Sequence, residues 1–182
     1  MPFIQTEIEG LLIFEPRLFE DERGYFYESF NQQEFHKASG INLPFVQDNH
    51  SFSKYGVLRG LHFQKPPHDQ AKLIKVVKGE IYDVAVDIRK NSPTFGKWLG
   101  FHLSAENKKQ LYLPRGFAHG FVVLSDVAEV LYKCDNFYSP QSEGGIIYDD
   151  SQLNIDWLVG KEKLIVSDKD LKLKSLHEIT FE

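Results

Sequence analysis

Residues 60–80 read GLHFQKPPHDQAKLIKVVKGE and bring His62, His68 and Lys72 together just ahead of a strand-like run. Two histidines beside a strand are the residue types of a metal site. The lysine opposes that chemistry, because an ammonium has no lone pair to give and repels a divalent cation. Proton transfer beside a ketone fits better. A histidine titrating near neutrality is the usual base for it. A lysine stabilises the enolate oxygen that forms when the proton leaves. His62 and Lys72 are the candidates for these two tasks. Tyr132, an O–H donor on a strand face read as inward, is the candidate acid that would protonate the opposite face of the carbon. Singly, each has a plainer reading: a structural histidine, a surface ion pair, a core tyrosine with a wet tip. Their combination carries the chemical reading.

Positioning these groups falls to short strands. The chain has 182 residues, including 15 Phe and 8 Tyr, which suits one domain over 1–182 and favours sheet. Candidate strands punctuated by Gly, Pro, Asn and Asp include Gly24–Phe30, Val46–Phe52, Gly56–Gln64, Leu73–Val77, Ile81–Ile88 and Ala128–Cys134. Gln47, Asn49 and Ser51 share one face of their strand by the two-residue period, as do Phe26 and Glu28 of theirs. Several polar faces in one small β protein fit a barrel with a wet, ligand-holding interior. Asn31 and Gly40 bracket a two-turn helix. Two more short helices are expected over Asp149–Trp157 and from Ser167, though the spacing of Leu171, Leu173 and Leu176 fits a strand or coil almost as well. Lys78-Gly79 reads as a hairpin turn that would set Lys72 opposite Ala85 and make Asp83 its diagonal neighbour. Arg59 and His62 have opposite parity on one strand, so both reach one pocket only if the strand bulges or ends near Gly60.

The net charge of −5 argues against a generic nucleic-acid surface but allows a local basic pocket. A lone cysteine, Cys134, excludes an internal disulfide framework and a thiolate zinc cage. With no leader-like or membrane-length apolar run, the expectation is a soluble intracellular protein without membrane or nucleic-acid partners.

Further along, Pro114-Arg115-Gly116-Phe117-Ala118-His119 matches the Pro-x-Gly-x-x-His of the second cupin motif. Aligning Gly79 with the Gly that closes the first motif puts Lys72 in the place of its Glu, His68 in that of the second His and Pro66 in that of the first. Two of four metal positions are thus Pro and Lys. The stretches PRLFEDERGYFYESF, VLRGLHFQ, QAKLIKVVKGEIYDVAVDIR, PRGFAHGF and YKCDNFYSPQSEGGI go further, and over nearly its whole length the chain resembles the dTDP-4-dehydrorhamnose 3,5-epimerase family of metal-free cupins.

That resemblance implies a mainly β, cupin-type jelly-roll barrel with a few short peripheral helices and no cofactor. It implies epimerisation of dTDP-4-dehydro-6-deoxy-D-glucose at C3 and C5, with His62 as base, Asp170 orienting it, Tyr132 as acid and Lys72 on the enolate oxygen. Arg23, Glu28, Gln47, Asn49, Arg59, His119, Glu143 and Lys169 would contact the nucleotide-sugar, Phe26 would line the pocket and Tyr138 would stack on thymine. A cytoplasmic homodimer exchanging N-terminal strands is implied, so that Arg23, Phe26 or Glu28 could serve the neighbour's site. Asp135 stands where the family often carries Thr, either on the thymine side of the pocket or facing solvent. Single-carbon epimerases share the catalytic set, and the rival readings are a non-catalytic nucleotide-sugar binder and a metal-dependent cupin.

Overall fold

Two six-stranded sheets face each other in the computed structural model, which describes residues 3–180. The first runs β1 (Phe3–Gln5), β2 (Leu12–Phe14), β10 (Gln110–Leu113), β7 (Lys72–Lys78), β12 (Val127–Cys134), β5 (Gln47–Lys54). The second runs β13 (Glu143–Gly145), β6 (Val57–Gln64), β11 (Phe117–Val123), β8 (Glu80–Asp87), β9 (Trp98–Ser104), with β14 (Ile165–Val166) added parallel to β6. A separate hairpin joins β3 (Phe19–Asp21) and β4 (Gly24–Phe26). This is a jelly-roll barrel of the cupin type. Ile74, Val76, Ile81, Leu111, Val123 and Val130 pack between the sheets and are each at most 5% exposed. Fully burying a side chain of this size contributes about 1.5–3 kcal/mol.

The expected hairpin at Lys78-Gly79 does not form. β7 and β8 lie in different sheets, and the chain crosses between them at Gly79, with φ +73°. A Cβ there would sit 2.0 Å from the Val127 carbonyl oxygen, so the crossing needs glycine. Lys72 instead pairs with Leu113 and Cys134, and Asp83 with Phe121 and Phe101. By alternation both still point into the space between the sheets.

The one α-helix among the described residues, α1 (Gln32–Ser39), forms as its caps direct. The Asn31 side chain accepts from the Gln33 and Glu34 N–H groups, and Gly40 closes the helix at φ +71°. Phe35 of this helix is buried against Phe3, Phe30, Phe45 and Tyr112. The helix expected over Asp149–Trp157 is a run of turns. Its Asp150 carboxylate accepts from the Gln152, Leu153 and Leu176 N–H groups, which gives the backbone a competing set of partners. Past Ser167 the described residues form 3-10 turns at Asp170–Lys172 and Leu176–Glu178 and a bridge from Lys174 to Ile146. Gly24–Phe30 is strand only to Phe26, whose partner Phe19 is the first residue of β3. Among the described residues no helix is long and apolar enough to cross a membrane.

Candidate active site

Strands β5, β7 and β12 of one sheet and β6 and β13 of the other enclose a cleft of about 330 Å³, with His62, Lys72, Tyr132, Gln47, Asn49 and Glu143 in its lining. Strand register explains how distant residues meet. Gln47, Cys134 and Lys72 form one cross-strand row, and Asn49, Tyr132 and Ile74 form the next. The Lys72 Nζ lies 5.9 Å from the centre of the Tyr132 ring.

His62 reaches the cleft through an irregularity in β6. His119 pairs with His62 and Phe121 with Arg59, so two steps along β11 match three along β6. The extra residue is a bulge at Gly60, with φ +120°, where a Cβ would lie 2.6 Å from the Gly120 Cα and the His119 carbonyl oxygen. The bulge removes the parity conflict. Arg59 donates to Ser53 Oγ at 3.0 Å, on the inward face of β5, and its charge acts on the Tyr132 phenol.

The His62 Nε2 donates to Asp170 Oδ1 at 2.7 Å, and the second carboxylate oxygen accepts from the Gly60 N–H. Asp170 is buried in a 3-10 turn, while His62 keeps a third of its side chain open to the cleft. Holding Nε2–H this way leaves Nδ1 with the lone pair. Burial pushes the His62 pKa below its ordinary 6.5 against the pull of Asp170, so the ring is neutral at pH 7. Burial likewise lowers the Lys72 pKa, opposed by Cys134, Asp83 and Glu143. The Tyr132 phenol is raised by burial and stays protonated. Among the described residues neither the Lys72 ammonium nor the Tyr132 hydroxyl makes a protein hydrogen bond, and both groups line the open cleft.

At the rim, Glu143 accepts from Lys169 Nζ at 2.6 Å and from the Tyr138 hydroxyl at 2.8 Å. Gln47 accepts from the Tyr138 N–H, tying that loop to β5. Two glutamines escaped the sequence reading. Gln64 accepts from the Ser139 N–H and donates to the His68 carbonyl, and Gln70 donates to the Asn136 carbonyl. Gln64 sits two residues after His62, so the strand period could have found it; Gln70 lies in a loop that carries no such signal.

Other expected residues lie elsewhere. Arg23 is on the exposed hairpin, paired with Asp21, and Phe26 there is 69% exposed. Glu28 accepts from Asn31, outside the cleft. His119 is buried, with Nε2 bonded to both oxygens of Asp83. His68 bonds Ser142, and among the described residues no three His, Cys, Asp or Glu side chains gather as a metal site. Asp135 neither enters the pocket nor faces water. Its carboxylate accepts from the Ala71 N–H at 2.7 Å and from Arg115 Nε at 2.9 Å, clamping the start of β7.

Fold and cleft together define a cupin barrel in which a histidine–carboxylate pair faces an unpaired lysine. Residues 5–178 match the family model described as dTDP-4-dehydrorhamnose 3,5-epimerase. A curated protein of that name from Shigella flexneri is 60% identical over 171 residues, 94% of this chain and 93% of its own length. The crystal structure of the Elizabethkingia anophelis enzyme of that name aligns with a TM-score of 0.95 at 54% identity, covering 98% of this chain and 97% of that one. A dTDP-6-deoxy-D-glucose-3,5-epimerase from Legionella pneumophila, solved with dTDP-4-keto-L-rhamnose, aligns with a TM-score of 0.94 at 51% identity, covering 98% and 94%. The chain belongs to the dTDP-4-dehydrorhamnose 3,5-epimerase family.

Proposed function

We propose that this protein epimerises dTDP-4-dehydro-6-deoxy-D-glucose at C3 and C5, giving dTDP-4-dehydro-L-rhamnose for dTDP-L-rhamnose biosynthesis in the cytoplasm. The observation that carries the reading is the meeting of a carboxylate-held neutral histidine, an unpaired ammonium and an unpaired phenol in one cleft. His62 Nδ1 takes the proton from the carbon beside the ketone, and the electron pair moves onto the C4 oxygen. The Lys72 ammonium stabilises that enolate. Tyr132 O–H protonates the carbon from the opposite face, and exchange with water returns the proton from His62 and restores the phenol. Gln47, Asn49, Glu143 and Lys169 would hold the sugar-nucleotide, with Arg59 on the diphosphate and Tyr138 on thymine. Conversion of the authentic keto sugar, followed by NMR, tests this directly: inversion at both carbons supports it, and an unchanged substrate contradicts it.

The division of labour between His62 and Tyr132 has its own test. Tyr132→Phe keeps the base and the cation, so label from deuterated water should still enter the sugar while the inverted product falls about 10²–10⁴-fold. Inversion at the wild-type rate would remove Tyr132 from the role.

The pH profile follows from the two depressed pKa values. As pH falls through the His62 pKa, below 6.5, the base is protonated and kcat/KM drops. As pH rises through the Lys72 pKa, below 10.5, the ammonium is lost and the rate drops again. A bell-shaped profile of kcat/KM is expected; an acid limb centred above 6.5 would contradict the neutral-base assignment.

A homodimer that exchanges N-terminal strands is part of the proposal. Phe19, Tyr25 and Phe26 are each more than half exposed on the β3–β4 hairpin, an apolar surface suited to a second copy. Arg23, Phe26 and Glu28 would then complete the partner's cleft. Sedimentation of a monomer at micromolar concentration would overturn this.

A further inference from the structure

Two histidine–carboxylate pairs lie side by side on the second sheet. His62 and His119 are direct cross-strand partners on β6 and β11. His62 with Asp170 opens on the cleft; His119 with Asp83 does not, since Asp83 is 0% exposed and His119 8%. The proton-transfer steps use the first pair only.

We propose that Asp83, anchored by His119, is a positioning residue for the epimerisation: its buried carboxylate holds Lys72 as an ammonium facing the substrate carbonyl. The inference rests on the function proposed above. Its geometric basis has three parts. Asp83 shares the face of β8 that carries Ile81 and Ala85, and Lys72 the face of β7 that carries Ile74 and Val76, so both point into the space between the sheets. Both Asp83 oxygens take the single His119 Nε2–H, at 3.0 and 2.9 Å, and among the described residues Asp83 has no other side-chain partner. A carboxylate that shares one imidazole N–H between its two oxygens keeps acceptor capacity toward a cation across the gap. Among the described residues Lys72, for its part, has no anion bonded to it, and its partial burial disfavours the charged form.

The groups facing the Lys72 ammonium come from four elements: Asp83 from β8, Glu143 from β13, Cys134 and Tyr132 from β12, and His62 from β6. Asp83 and Glu143 are the carboxylates among them. Glu143 is already engaged by Lys169 and Tyr138 at the rim. That leaves Asp83 as the anion whose charge is available to the lysine, with His119 fixing its orientation.

The test is a pH titration of the Lys72 side chain itself, by NMR of lysine labelled at the ε-carbon, in the intact protein and in Asp83→Asn. The expected result is a Lys72 pKa lower in the variant by about one unit or more, with the alkaline limb of kcat moving by the same amount and KM nearly unchanged. His119→Gln keeps a donor toward Asp83 and should show a smaller shift in the same direction. An unmoved Lys72 titration in both variants overturns the proposal. If Asp83→Asn does not fold, His119→Gln against His119→Leu decides: a lower Lys72 pKa in the leucine variant supports the assignment, and equal values overturn it. Because the titration needs no turnover, it separates failure here from failure of the epimerase reading, which would appear as absent exchange with the Lys72 titration still coupled to Asp83.

Discussion

His62→Ala is expected to remove solvent exchange at both sugar carbons, a loss of at least about 10²–10⁴-fold, the usual worth of a positioned general base. The loss should fall on kcat. The imidazole is the one group in the cleft with a free lone pair near neutral pKa, because Asp170 holds Nε2 and burial keeps the ring uncharged. No lining residue can replace it. Glu143 is bonded by Lys169 and Tyr138 at the rim, and Asp170 is buried behind the ring. Binding of dTDP should survive, since the residues proposed to hold the nucleotide are untouched. Retained exchange in this variant would place the base elsewhere; loss of dTDP binding would mean that the substitution had damaged the site rather than the chemistry.

Lys72→Met is expected to lower the exchange rate about 10²–10³-fold, the scale of removing one oxyanion-stabilising group. Its effect on stability should run the other way. Burial is the leading cause of the depressed Lys72 pKa, and among the described residues the ammonium has no bonded anion to offset its desolvation. A methionine of similar length removes that cost while filling the same space, so the melting temperature should hold or rise. Thermal denaturation and the exchange rate, measured on one preparation, check both halves. A rate loss accompanied by a fall in stability would make Lys72 a structural residue.

Much of this site is legible in the sequence because strands alternate. Gln47 and Asn49 face the cleft as their two-residue period requires, and Lys72 and Tyr132 meet because their strands are neighbours in one sheet. Arg59 and His62 conflict in parity, and that conflict correctly marks the Gly60 bulge. The partner of His62 is different. Asp170 lies 108 positions away in a single 3-10 turn, and no periodicity connects the two. Family resemblance supplied that pairing.

What the sequence misread has physical causes. Lys78-Gly79 has turn chemistry, but the glycine serves a crossing between sheets, where the Val127 carbonyl leaves no room for a Cβ. Local residues cannot say whether the next strand returns beside the last or enters the opposite sheet. The Asp149–Trp157 helix failed because Asp150 captures three backbone N–H groups, one of them from Leu176 far along the chain. Asp135 takes neither a pocket nor a solvent position because Arg115 and the Ala71 N–H, both distant in sequence, bind its carboxylate.

Solvent exchange by the unaltered protein tests the central claim most directly. In deuterated water, with dTDP-4-dehydro-6-deoxy-D-glucose as substrate, the mechanism predicts deuterium at both C3 and C5, entering no more slowly than product forms. Absence of label at both positions would contradict proton transfer in this cleft, and label at one carbon alone would contradict double epimerisation.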